Sequence, residues 1–136
     1  MFQRILVPTD LTDESRRALD LALALATPDG ARVILLHVIE RIPNLDDREL
    51  RTFYDQLERD GRLRLHALAG SAHQPGKVEI EQTLLFGRRA DEIIRTAEDS
   101  NCDLIILQHS TSDRPLLGSI SYKVSVLAPC SVLLLK

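Results

Sequence analysis

"RILVPTDLTDESRRALDLALALATPDGARVILLHVIE", residues 4–40, decides the fold. Its two ends, Arg4 to Pro8 and Ala31 to Glu40, are Leu-rich, β-branched runs without clean alternation, as expected of strands covered on both faces. Between them Ala18, Leu21, Ala22 and Leu25 recur at helical spacing. "TDES" precedes that helix, with Thr12 and Asp13 as cap candidates, and "TPDG" (27–30) stops it. Strand, helix and strand in this order make one βαβ unit, so the two strands run parallel.

The same alternation continues outward. A second helix is predicted from about Asp46 to Ala69, with Leu50, Phe53, Leu57, Leu65 and Leu68 on one face and Gly61 as a weak point in its middle. "KVEIEQTLL" (77–85) sets Val78 and Ile80 against Lys77, Glu79 and Glu81, a pattern for a strand at the border of the sheet. Ala90, Ile93, Ile94 and Ala97 mark a third helix and "CDLIIL" (102–107) a fourth strand. A fourth helix spans Gly118 to Leu127, and "SVLLLK" (131–136) is the last strand. The expectation is an α/β fold: a parallel sheet between two helical layers, wound right-handedly, with any ligand beyond the carboxyl ends of the strands at a switch point.

Composition narrows the function classes. At 136 residues, with 44% apolar and 27% charged residues, the chain has the size and make-up of one globular domain, expected to span residues 1–136. Seventeen basic residues against twenty acidic ones, with two Tyr, three Phe and no Trp, make nucleic acid an unexpected partner. Apolar stretches such as "LALALA" (21–26) are too short to cross a bilayer, so no membrane partner is expected. "MFQRILVPTD" enters a strand without a basic, apolar and small-residue leader, which points to the cytoplasm. Cys102 and Cys130 lack metal-ligand or CxxC spacing and read as buried thiols, so no metal site is expected. No GxSxG, HExxH or GxxxxGK[ST] occurs; His37 and His109 read as strand-borne and loop-borne, and no catalytic residue is assigned.

Four stretches, "ILVPTDLTDESRRAL", "VILLHVIE", "GRRADEIIRTAEDSNCDLIIL" and "LLGSISYKVSVLAPCSVLLLK", together resemble the universal stress protein family. They cover nearly the whole chain; only about Arg41 to Gly76 is generic. The resemblance implies a Rossmann-like fold with five strands in the order 3-2-1-4-5, usually dimeric, in a family where some members bind ATP or AMP and others do not. In nucleotide-binding members an Asp closing the first strand holds the nucleoside, a Val after the second touches adenine, and a Gly, two residues, Gly, nine residues, Gly, Ser or Thr motif takes the phosphates. Asp10, Val38 and the pair Gly118-Ser119 match these positions. Gln108 and Thr111 stand where the first two glycines belong, and the loop is shorter than the family pattern.

A phosphate cradle needs several backbone N–H groups converging at close range, which glycine permits. No glycine lies between Gly87 and Gly118, Pro115 lacks an N–H, and Asp113 adds negative charge. Against that, Ser110, Thr111 and Ser112 offer hydroxyls, Arg114 a guanidinium, and Gly118-Ser119 a helix start. Losing two charge-assisted bonds at about 1.5–3 kcal/mol each lowers affinity by roughly a hundred- to ten-thousandfold. The candidate nucleotide site is therefore Asp10, Val38, Ser110, Arg114, Gly118 and Ser119, with tight ATP binding not expected and weak ATP or AMP binding the alternative. Each residue also has a plainer reading: Asp10 as a turn or helix cap, Val38 as core, Gly118-Ser119 as an ordinary helix start.

In the 3-2-1-4-5 order the apolar last strand lies at an edge, where natural proteins cover, charge or pair such a surface. Pairing with a second copy about a two-fold axis, burying Val132 and Leu134 or the alternate Leu133 and Leu135, is the expectation. Function is then expected through binding and dimerisation, not turnover.

Overall fold

The computed structural model describes residues 2–26, 30–42, 47–72, 78–109 and 120–136. Strand β1 (Arg4–Pro8) leads through helix α1 (Ser15–Leu25) to β2 (Arg32–Ile39), α2 (Asp47–Ala72) and β3 (Glu79–Phe86). Helix α3 (Arg89–Asp99), β4 (Leu104–Gln108), α4 (Ile120–Leu127) and β5 (Ser131–Leu135) complete the order. All neighbouring strands are parallel and the sheet order is β3-β2-β1-β4-β5, as the resemblance implied.

The missing alternation in the inner strands has a direct cause. Ile5 and Val7 of β1 pack toward α1 and α2, whereas Leu6 packs toward α3 and α4, and all three are fully buried. Each such side chain removed from water contributes about 1.5–3 kcal/mol, so both helical layers are held against the central strands.

Two helices differ in detail from the periodicity reading. In α1 the fully covered stripe is Ser15, Ala18, Leu19, Ala22 and Leu23, while Leu21 and Leu25 are only partly buried. Its N-cap is Glu14, without a side-chain cap bond, so neither Thr12 nor Asp13 caps it as expected. Instead the Thr12 carbonyl accepts from the Ser15 N–H at 3.1 Å and from the Ser15 hydroxyl at 2.6 Å. In α2 the expected core residue Phe53 is 49% exposed, and its neighbour Tyr54 is buried with Leu65 and Ala69. Gly61 is a packing device: a Cβ there would lie 2.8 Å from Leu84 Cδ1, so its absence brings α2 close onto β3.

The two sheet edges are built differently. On β3, Glu79 and Glu81 both pair with Arg32 of β2, at 3.4 and 3.7 Å. That charged border discourages pairing with a further strand. On β5, Leu133 and Leu134 are 38% and 39% exposed, and nearby α4 exposes Val126 and Leu127. Cys102 is buried, and burial pushes its thiol up to about 11; Cys130, half-buried, shifts in the same direction for the same reason.

Candidate functional site

The site grows from the end of β1. After Pro8 the Thr9 N–H continues the ladder by donating to the Leu36 carbonyl at 2.8 Å. The next turn is closed by Asp10, whose Oδ1 accepts from the Thr12 N–H at 3.0 Å and from Thr12 Oγ1 at 2.6 Å. An aspartate bonding the backbone two residues on is an Asx turn, so the cap role of Asp10 is realised on the loop. Leu11, between them, has φ 65°, a left-handed conformation that costs a non-glycine residue roughly 1–2 kcal/mol. Both sides of it are fastened: its N–H donates to Thr9 Oγ1 at 3.0 Å and its carbonyl accepts from Arg64 Nη2 of α2 at 2.7 Å. Strain held by its surroundings in this way is typical of functional loops.

Beneath the loop, His37 Nδ1 lies 2.9 Å from the Thr9 carbonyl, which can only accept, so the proton sits on Nδ1. Burial holds the His37 pKa below its ordinary value. The Thr9 carbonyl and Asp10 oppose that shift, whereas Arg89 and Arg64 reinforce it.

The facing wall comes from the end of β4. Gln108 Nε2 donates to the Leu135 carbonyl at 3.3 Å and lies 3.5 Å from the His109 carbonyl, which fixes the amide's orientation. The reverse orientation would set its oxygen against two carbonyl oxygens. Its Oε1 is thereby left buried and, among the described residues, without a hydrogen-bond partner. A third wall is the start of α3, where the Arg89 N–H donates to Glu40 Oε1 at 2.9 Å, a cap supplied by the residue after β2.

These elements enclose a cleft between the carboxyl ends of β1 and β4, lined by Asp10, Ser15, Val38, Arg89, Gln108, Ile120 and Ser121 over Leu36, Ile93 and Leu107. It lies at the switch point, where an α/β sheet places its ligand. Asp10 and Val38 are thus brought together, although Val38 is also a core residue, 4% exposed. Ser110, Arg114, Gly118 and Ser119 lie outside the described residues. Leu11 and Arg64 were not foreseen: a left-handed leucine leaves no mark in a sequence, and Arg64 reaches the loop from 53 positions away. Arg89, at the start of α3, also lines the cleft. Among the described residues no His, Cys, Asp or Glu cluster suits a metal ion.

The model for the universal stress protein family matches residues 1–136. The chain belongs to the universal stress protein family. A universal stress protein of Thermus aquaticus, encoded in the QAH/OAS sulfhydrylase 3' region, is 33% identical over 144 residues, covering 100% of both chains. Among solved structures, universal stress protein MJ0577 of Methanocaldococcus jannaschii superposes with a TM-score of 0.80 at 23% identity, covering 100% of this chain and 96% of that one. An Arabidopsis thaliana member of the family with AMP bound superposes with a TM-score of 0.70 at 20% identity, covering 98% and 91%. At those identities the superpositions establish the fold, and they agree with the strand order of this universal stress protein. Among the described residues no helix is long and apolar enough to cross a membrane.

Proposed function

We propose that this universal stress protein acts by binding and not by turnover, as a cytoplasmic homodimer, and that its switch-point cleft does not hold ATP tightly. The observation that carries the reading is Gln108. Where a phosphate cradle requires converging donors, this residue commits its N–H group to Leu135 and His109 and leaves a buried acceptor behind. The Asp10 carboxylate lines the same cleft, so its negative charge opposes an entering anion. Arg89 is the one cation named among the cleft's described lining residues. The test is native mass spectrometry of the purified chain: no adenine nucleotide carried through is expected, and stoichiometric ATP would defeat the reading.

A second reading is favoured by the conjunction of Asp10, Val38 and Arg89 in the cleft and by the AMP of the Arabidopsis relative. On it, Asp10, Val38, Ser110, Arg114, Gly118 and Ser119 hold ATP or AMP in a nucleotide-dependent regulator or slow ATP hydrolase. Ser119→Ala separates the two. A loss of about 1 kcal/mol in a measurable nucleotide affinity supports this second reading, and no change removes Ser119 from the site.

A further inference from the structure

Two thiols far apart in the sequence meet at the end of the sheet opposite the Asp10 cleft. The parallel pairing of β4 with β5 begins at Leu104 and Ser131. Cys102 stands two residues before the first of these and Cys130 one residue before the second. Both lie on one side of the sheet: Cys102 is buried in the apolar cluster that includes Ile105 and Val124, and Cys130 and Val132 pack against the same cluster.

The backbone fixes both approaches. The Cys102 N–H donates to the Ala97 carbonyl at the end of α3, and the Asp103 N–H donates to the Arg4 carbonyl, each at 2.9 Å. On the other side the Ala128 N–H donates to the Val124 carbonyl at 2.9 Å, so α4 holds the chain two residues before Cys130. Carried one residue back, the strand register sets Asp103 opposite Cys130. Cys102 then lies one strand spacing and one residue's rise away, roughly 6 Å between α-carbons, within the roughly 4.4–6.8 Å that disulfides span. Their nearness also shows in ionisation: burial first, then the neighbouring Cys130, raise the Cys102 thiol to about 11. Access differs between the two. Cys102 is 7% exposed and Cys130 only half-buried, so a small oxidant meets Cys130 first and Cys102 need meet only Cys130.

We propose that Cys102 and Cys130 form a modification site, separate from the Asp10 cleft, at which hydrogen peroxide makes an intramolecular disulfide that clamps the start of β5 to the start of β4. The Cys130 thiolate attacks one peroxide oxygen, the O–O bond breaks, and Cys130 becomes a sulfenic acid as hydroxide leaves. The Cys102 thiolate then attacks Cys130 Sγ, forming the S–S bond and expelling a second hydroxide. The protons given up by the two thiols turn both hydroxides into water, so one peroxide oxidises one pair. Only thiolates react, and burial keeps both thiols protonated at neutral pH, so the site responds to sustained oxidation and not to a brief pulse.

The test is hydrogen peroxide added to the reduced full chain, followed by alkylation in denaturant and mass spectrometry of a non-reducing digest. A peptide pair joined through Cys102 and Cys130 is expected, in a chain that has lost two hydrogens and takes no alkyl group. The rate should rise roughly tenfold per pH unit on the alkaline side of neutrality, and the oxidised chain should melt several degrees above the reduced one. In Cys102→Ser, Cys130 should stop at a sulfenic acid that dimedone traps; Cys102→Ala serves if the buried hydroxyl prevents folding. Cys130→Ser should leave Cys102 reduced. Further oxidation of Cys130 with Cys102 still reduced, a link between two chains in place of one within a chain, or a folded chain whose thiols both stay reduced overturns the proposal.

Discussion

Gln108 Nε2 meets the carbonyl of Leu135 at 3.3 Å, so the residue in the first-glycine position of the phosphate motif also fastens the end of the sheet's last strand. The same carbonyl accepts the His109 N–H. Replacing Gln108 with glycine removes this side-chain tie and also the buried, unpaired Oε1. Gln108→Gly should therefore destabilise the fold by about 1 kcal/mol in denaturant melts. Its affinity for AMP should nonetheless rise severalfold by calorimetry, because glycine at this position lets the backbone turn an N–H toward a phosphate. Unchanged or weaker AMP binding would show that Gln108 does not obstruct the cleft.

His37 gives the cleft a pH dependence of definite sign. Burial lowers its folded-state pKa below the unfolded value near 6.5, so the unfolded chain binds more protons in that window. Its contribution to stability is present above that value and is lost as pH falls through the folded pKa. A proton NMR titration of the His37 ring should give a midpoint below 6.5. A midpoint at or above 6.5 contradicts the assignment of the ring as neutral and held by Thr9.

Gly61 sets the distance between α2 and β3. Alanine improves helix propensity by about 0.8–1 kcal/mol, but its Cβ requires the buried Leu84 side chain to move, at roughly 1–3 kcal/mol. Gly61→Ala should lower stability by about 1 kcal/mol. A stabilised variant in thermal melts would show that Leu84 repacks freely.

The exposed leucines of β5 predict the oligomeric state. Leu134→Glu places a charge on the uncovered edge without entering the fully buried core. Light scattering at micromolar concentration should show a dimer for the parent chain and a monomer for the variant. A monomeric parent chain would remove β5 as the interface.

The inner framework was legible because its residues are constrained twice over. Ile5, Leu6 and Val7 are buried on alternate faces of one strand, so their uniform apolarity marks a covered parallel strand in the sequence itself. The helix faces were less legible where two apolar neighbours compete: Phe53 and Tyr54 look alike in periodicity, but only Tyr54 has a backbone donor, the Ile42 N–H, to satisfy its hydroxyl inside. At the site, Asp10 was readable because short-range turn chemistry is written in adjacent residues. Leu11, Arg64 and the capping of α3 by Glu40 were not, because each depends on contacts that only the folded chain creates.

The central claim is that the carboxyl end of β4 no longer supplies a grip for a triphosphate. Isothermal titration calorimetry of the full chain with ATP tests it most directly. The account predicts a dissociation constant weaker than about 100 μM, the affinity left when roughly 3–6 kcal/mol of phosphate contacts are missing. A low-micromolar constant would contradict it.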